Sequence, residues 1–141
     1  MSNHRRKFIV QEFISGLSGD YKILVYGDRY YVVRRENRLE DFRASGSGLL
    51  SFPKNVSDKL LDYAKFIFEK SHTPFMGMDI ADQNGKLYLI EFQFMVMGNY
   101  ALEKSNFFFR KILGKWQLVY ETSLLEDVFT ESIDQYINNK K

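Results

Sequence analysis

Cysteine is absent from this sequence, and histidine and proline occur only twice each. Without cysteine the chain can form no disulfide framework, thiol nucleophile or cysteine-ligated zinc site. His4 and His72 alone could supply imidazole, which leaves little room for histidine-based catalysis. There is no long apolar run that could span a bilayer, and no apolar signal region follows the polar N-terminus. We therefore expect a soluble cytoplasmic protein without a membrane partner.

Apolar and aromatic residues are abundant, and the charges nearly balance. The hydrophobic fraction is 45% and the aromatic fraction is 16%, which argues against general disorder. At 141 residues the chain is expected to form one domain, 1–141, with an ordinary core. Its formal net charge of +2 is too small to predict a nucleic-acid-binding surface.

The order of apolar patterns predicts an α+β fold with a mainly antiparallel sheet and packed helices. Runs rich in β-formers predict strands over 8–14, 23–26, 30–34 and 116–120. Helical spacing predicts a helix over 57–71 with Asn55 as its N-cap, and another helix over 101–113. Ser123 and Glu126 have the spacing of a capping box at the start of a C-terminal helix.

Two acidic residues lie within a predicted β-hairpin, Asp79 on one strand and Glu91 on the next. Carboxylates are depleted from strand interiors, and an unpaired one beside apolar neighbours is costly. The pair therefore needs a cation, either from lysine and arginine side chains or from a metal ion. Oxygen ligands from Asp79, Glu91 and the Gln93 amide would suit Mg²⁺ or Mn²⁺.

The turn decides whether the two carboxylates share a face. A two-residue Asn84-Gly85 turn, which the sequence favours locally, would put Asp79 and Glu91 on opposite faces. A three-residue loop over 83–85, or a bulge, would bring them to the same face. The alternation of apolar residues favours the loop of odd length.

A polar, arginine-containing segment over 35–52 separates the first strand pair from the first helix. Arg43, followed by Ser45 and nearby glycines, could cradle a phosphate, or the segment could be a surface loop. Acidic residues interleave with the arginines, which weakens a nucleic-acid interpretation.

Taken in order, these segments resemble the C-terminal part of the ATP-binding domain of the ATP-grasp superfamily, of the ribosomal-protein glutamate ligase and tubulin tyrosine ligase type. The resemblance covers 9–94 and leaves 95–141 as a helical C-terminal extension. The segments that carry it are 10–14, 19–20, 25–28, 34–35, 41–43, 77–80 and 90–93.

The resemblance implies a set of residues that bind ATP and Mg²⁺ (or Mn²⁺), but identifies no catalytic residue. The backbone of Gln11, Glu12 and Phe13 would meet the adenine, and Asp20 would bind the ribose hydroxyls. The other implied nucleotide-binding residues are Lys22, where the family commonly has arginine, and Arg35, Arg43 and Ser45. The implied metal ligands are Asp79, Glu91 and Gln93, the last at a position where asparagine is usual.

Members of this superfamily activate a carboxylate as an acyl phosphate, which an amine or a thiol then attacks. Their glycine-rich flap and phosphate-binding lysines belong to an earlier subdomain, whereas this sequence begins at the hinge strand. We therefore expect a truncated chain, a separate chain that supplies the missing half, or a fold kept without the chemistry. The alternatives are a non-catalytic protein-interaction module of this fold and, less favoured, an RNA-binding module.

Overall fold

The computed structural model describes residues 9–39, 44, 46–95 and 98–139. These residues form an α+β fold in which a seven-stranded, antiparallel sheet carries three helices. The strands are β1 (Gly19–Tyr26), β2 (Arg29–Glu36), β3 (Leu50–Ser51), β4 (Phe75–Gln83), β5 (Lys86–Gln93), β6 (Phe107–Ile112) and β7 (Lys115–Tyr120). The helices are α1 (Asp58–Ser71), α2 (Tyr100–Lys104) and α3 (Leu125–Asn138).

The strands follow the order β5-β4-β1-β2-β6-β7, and short β3 pairs with β2. Apolar side chains on both faces of β1 and β2 are buried, which explains their uninterrupted β-rich sequences. One core lies between the sheet and α1, and the other lies against α2 and α3. No helix within the described ranges is long and apolar enough to cross a membrane.

Helix α1 confirms the predicted helix, but its first turn differs from the expectation. Ser57, not Asn55, is the N-cap, because its hydroxyl accepts a hydrogen bond from the backbone N–H of Leu60. The chain leaves the helix through His72, whose φ of 51° is left-handed, just before Pro74.

Three sequence-based assignments are wrong in the structure. Residues 9–14 form no strand, because no neighbouring strand pairs with them in the described part of the chain. The predicted helix over 101–113 ends at Lys104, and Phe107–Ile112 is strand β6. Helix α3 is present, but its N-cap is Leu124, because Ser123 bonds to Tyr31 instead.

The strand predictions for 23–26, 30–34 and 116–120 are confirmed within β1, β2 and β7. Arg35 and Glu36 extend β2, so they do not belong to the polar loop that the sequence indicates. The segment after residue 94 contains the β6–β7 hairpin as well as two helices, and this hairpin joins β2 in the same sheet.

Candidate functional site

The hairpin of β4 and β5 combines a two-residue turn with a β-bulge. Asn84 and Gly85 form the turn with φ of 53° and 82°, so Gln83 pairs with Lys86 and Ile80 with Leu89. The register then shifts by one residue, and Asp79 pairs directly with Glu91. The expected three-residue loop is therefore wrong, and the bulge is what brings the acidic residues together.

The bulge allows the two-residue turn and the alternation of apolar residues to occur together, which a regular hairpin would not. Before it, Leu87 and Leu89 pack on the core beneath α1; after it, Phe94 packs there as well. The extra residue is Ile90, which has no cross-strand partner. Because directly opposed residues share a face, Glu91 lies on the same face as Asp79, away from that core.

The acidic face forms one side of a groove of about 380 Å³. The extended segment 11–14 forms another side, and the side-chain amide of Gln11 donates to the carbonyl oxygen of Ile90 at 3.1 Å. The residues expected from the resemblance that line this groove are Gln11, Glu12, Phe13, Asp20, Arg35, Asp79 and Glu91.

A buried ion network lies at the base of the groove. Arg35 donates from Nε and Nη2 to the two carboxylate oxygens of Asp20, at 2.6 and 2.7 Å. The same Nη2 lies 2.7 Å from Oδ2 of Asp79, and Lys22 Nζ lies 3.6 Å from Oδ1. Arg35 and Asp20 are only 8% and 7% exposed, so this network is shielded from solvent.

Burial alone would lower the pKa of Arg35, but its hydrogen bonds with Asp20 and Asp79 outweigh that effect and raise it. The guanidinium therefore stays charged at any pH at which the protein is folded. This pairing follows from the β1–β2 register, which puts Asp20 directly opposite Arg35. A two-residue turn at Gly27 and Asp28 sets this register, so the pairing of Asp20 with Arg35 could have been predicted from the sequence.

The network leaves one carboxylate oxygen incompletely satisfied. Oδ1 of Asp79 is buried and accepts no hydrogen bond from the described residues, and its neighbour Lys22 is beyond hydrogen-bond distance. The chemistry of Asp79 and Glu91 fits a hard divalent cation, with the Gln93 amide close by opposite Gly77.

The donor set is nevertheless incomplete, because no group of three or more His, Asp or Glu residues within the described ranges could hold a metal ion. A cation held here would need further oxygen atoms from water or a bound phosphate. The carboxylate of Asp79 would also have to bind the ion and its existing partner Arg35 at the same time.

The remaining expected residues divide into two groups. Lys22 lies beside the groove, with its Nζ 3.6 Å from Oδ1 of Asp79. Gln93 pairs with Gly77, two residues before Asp79 on β4. Arg43 and Ser45 lie outside the described residues, although Ala44 between them lines the groove.

Two residues at or beside the groove were not among the predicted site residues, although both lie in segments that carry the resemblance. Ile90 lines the groove because it is the extra residue of the bulge, where the regular alternation of β5 is interrupted. Gly19 precedes Asp20 at a point where the strands approach so closely that a Cβ would collide with the carbonyl oxygen of Arg35. A glycine just before a strand carboxylate was the available signal for that close approach.

Comparison with known proteins gives no relative: no family model matches the chain, and no curated protein or solved structure matches it. What the groove can do is therefore inferred from its own residues.

Proposed function

We propose that this chain supplies one wall of a site for ATP with Mg²⁺ or Mn²⁺, in an ATP-grasp-type enzyme that joins a carboxylate to an amine or thiol. A separate chain, or residues outside the groove, would complete the site. The observation that supports this proposal is convergence. A backbone segment, a buried aspartate and a facing pair of carboxylates, far apart in sequence, meet in one groove of about 380 Å³.

Each part of the groove has a role in this proposal. The backbone of 11–13 would contact the adenine, and Asp20 would face the ribose hydroxyls. Asp79 and Glu91, with the amide of Gln93, would hold the ion through oxygen atoms. A bound ion would offset the negative charge of the phosphates during transfer.

Charge makes the proposed site dependent on a divalent cation. The charged side chains described in or beside the groove are Glu12, Asp20, Asp79 and Glu91 against Lys22 and Arg35. Acid exceeds base in this set, so a bare polyphosphate would be repelled. Arg35 would have to release Asp20 or Asp79 before either could meet a ligand, which lowers the affinity of the chain by itself.

The direct test is a titration of the chain with ATP and Mg²⁺, in which calorimetry measures the affinity and NMR records the chemical-shift changes of backbone amides. We expect millimolar affinity, on the order of −4 kcal/mol, with shifts concentrated at Glu12, Phe13 and Glu91. Excess EDTA should abolish them. The variant Glu91→Gln should weaken binding by roughly fivefold, about 1 kcal/mol, because it removes a charged ligand from an exposed position.

Glu126→Gln is the matched control, because Glu126 is an exposed glutamate on α3, away from the groove. The affinity of this variant for ATP and Mg²⁺ should equal that of the unchanged chain. The proposal fails if about 10 mM Mg–ATP shifts no groove amide, or if binding persists in EDTA.

A second candidate is a non-catalytic interaction module that keeps this fold. The observation that favours it is the ion network, since Arg35 and Lys22 already offset the charges of Asp20 and Asp79 without any ligand. In that case the exposed apolar side chains of Ile9 and Val10 would contact a partner protein. Absence of nucleotide binding, together with loss of a partner on Val10→Asp, would favour this candidate.

A further inference from the structure

The two outer strands of the sheet differ in how well their open edges are protected. On β5 the bulge at Ile90 interrupts the edge, and the Gln11 side chain bonds to the carbonyl of that residue. Strand β7 has neither a bulge nor a proline or glycine, and its pairing with β6 is regular from end to end. Bulges and covering groups are the usual protection against strand addition, so β7 presents the available edge.

The register of the β6–β7 hairpin identifies the backbone groups on this edge. Ile112 and Lys115 flank a two-residue turn, so they form a hydrogen-bonded pair, and every second pair repeats that geometry. The bond from Glu121 N–H to the Asn106 carbonyl, at 3.0 Å, belongs to the same series. The alternate residues on β7 must therefore direct their N–H and C=O groups outward: Trp116, Leu118 and Tyr120.

No hydrogen bond from elsewhere in the described ranges reaches these outward groups. The side chains of the same three residues lie on the face towards α1, where Trp116 and Leu118 pack against the core and Tyr120 is 62% exposed. The β7 edge, meaning the backbone of 115–121 on its open side, thus combines unpaired polar groups with partly exposed aromatic surface.

We propose that the β7 edge binds a second copy of this chain, through antiparallel pairing of β7 with β7 about a two-fold axis at Leu118. In this register each of the outward residues meets another outward residue and exchanges two backbone hydrogen bonds with it. Leu118 meets its own copy, and Trp116 meets Tyr120 of the other chain.

Charge complementarity favours this register and a second copy as the occupant. The same pairing sets exposed Lys115 opposite exposed Glu121 on the other face of the sheet, twice per dimer by symmetry. Glu121 also binds Arg29, yet its side chain remains 45% exposed. Shifting the register by two residues in either direction would lose both this ion pair and the pairing of Trp116 with Tyr120.

A single pair of short strands is a small interface, so the association is weak and reversible. We expect a dissociation constant on the order of tens of micromolar. Sedimentation equilibrium of the full chain, from about 5 µM to about 500 µM, should show the average mass rising from 16.7 kDa towards twice that value.

Lys115→Glu is the principal variant, because it places like charges opposite each other in both symmetric positions. It should weaken dimerisation at least tenfold. Lys104→Glu makes the same change at an exposed position on α2 and should leave the dimer intact. Leu118→Pro removes one outward N–H without removing a bond to β6 and should abolish dimerisation. Leu118→Ala, which retains that N–H, should dimerise.

Hydrogen exchange supplies a readout that does not depend on the variants folding equally well. In the dimer the amides of Trp116, Leu118 and Tyr120 should become protected as concentration rises, whereas those of Gln117 and Val119 should be protected throughout. A chain that stays monomeric over the whole range would overturn the proposal. So would a dimer that tolerates Lys115→Glu and shows no concentration-dependent protection at Leu118, because its interface would lie elsewhere.

Discussion

Arg35 determines the electrostatic character of the groove. It is a nearly buried cation that contacts both oxygens of Asp20 and one oxygen of Asp79. Removing one member of such a pair leaves an uncompensated charge and costs more than the pair itself contributes. Variants of Asp20 or Arg35 would therefore report on folding as well as binding, whereas the exposed Glu91 separates the two.

Leu113 has an unfavourable conformation for its residue type. It occupies the first position of the β6–β7 turn with a φ of 49°, and its side chain is 98% exposed. The left-handed region costs an ordinary side chain about 1–2 kcal/mol, and less for asparagine. The hairpin of β4 and β5 has asparagine at the equivalent position, Asn84, with a φ of 53°.

We expect Leu113→Asn to raise the free energy of unfolding by about 0.5–1 kcal/mol, because Asn-Gly is the preferred sequence for this turn. The midpoint of urea unfolding would measure the gain. Leu113→Ala is the control, since alanine removes the exposed apolar surface but keeps the left-handed strain. Leu113→Ala should change the free energy of unfolding by much less than Leu113→Asn. Equal gains from the two variants would show that Leu113 destabilises the chain through its exposed apolar side chain and not through backbone strain.

Helix α3 is attached to the sheet through Arg29 at the start of β2. Arg29 bonds to Glu121 after β7 and to Glu131 on α3, and its guanidinium lies 4.9 Å from the Phe108 ring centroid. Nearby, the Tyr31 hydroxyl donates to Ser123 at 2.7 Å. One side chain on β2 therefore joins three elements that are distant in sequence.

We expect Arg29→Met to lower the free energy of unfolding by about 1–2 kcal/mol, because packing is largely kept while the bonds to Glu121 after β7 and to Glu131 on α3 are lost. Limited proteolysis should show earlier cleavage within α3. Glu131→Gln removes only the carboxylate on α3, and it should cost less than about 0.5 kcal/mol since that carboxylate is half exposed. Cleavage of α3 at an unchanged rate would mean that apolar packing alone holds the helix.

The elements that sequence patterns predicted are those with an unambiguous local signal. Helix α1 and the β1–β2 hairpin follow from periodicity and from a glycine-containing turn. Strand β6 did not, because three consecutive phenylalanines, Phe107 to Phe109, suit a helix and a doubly buried strand equally well. The extended segment 9–14 has strand-forming residues but no pairing partner within the described ranges.

The sequence predicted most of the residues that line the groove, but not the strand register or the ion pairs that arrange them. Asp79 and Glu91 stood out because carboxylates interrupt apolar strands, yet turn chemistry and apolar alternation gave opposite registers. The bulge at Ile90 reconciles them, and no local signal specifies it. The pairing of Asp20 with Arg35 depends on the length of a different turn, so the neutralisation of Asp79 by Arg35 emerges only from three strands together.

The sheet separates two cores, and each contains tyrosine. Tyr30 lies in the core beneath α1, and Tyr26 and Tyr31 lie in the core beneath α2 and α3. Burial raises the pKa of all three, that of Tyr26 to about 12. Ionising any of them in place would put a charge into an apolar layer, so the whole sheet is sensitive to high pH.

We expect stability to fall steeply as pH rises above about 10. The unfolded chain then releases tyrosine protons that the folded chain retains, so the unfolded state binds fewer protons and unfolding is favoured with rising pH. The stabilisation is complete below the unfolded pKa of about 10 and is lost as pH approaches the folded value for Tyr26 of about 12.

Absorbance at 295 nm and far-ultraviolet circular dichroism would follow this transition together. Exposed tyrosines should ionise first, and the buried ones should ionise only in step with the loss of secondary structure. Tyr30→Phe removes a buried phenol and should move the alkaline midpoint up by a few tenths of a pH unit. A Tyr120→Phe control at an exposed position should leave the midpoint unchanged. Smooth ionisation of all tyrosines while the circular dichroism stays constant would show that the two cores admit solvent without unfolding.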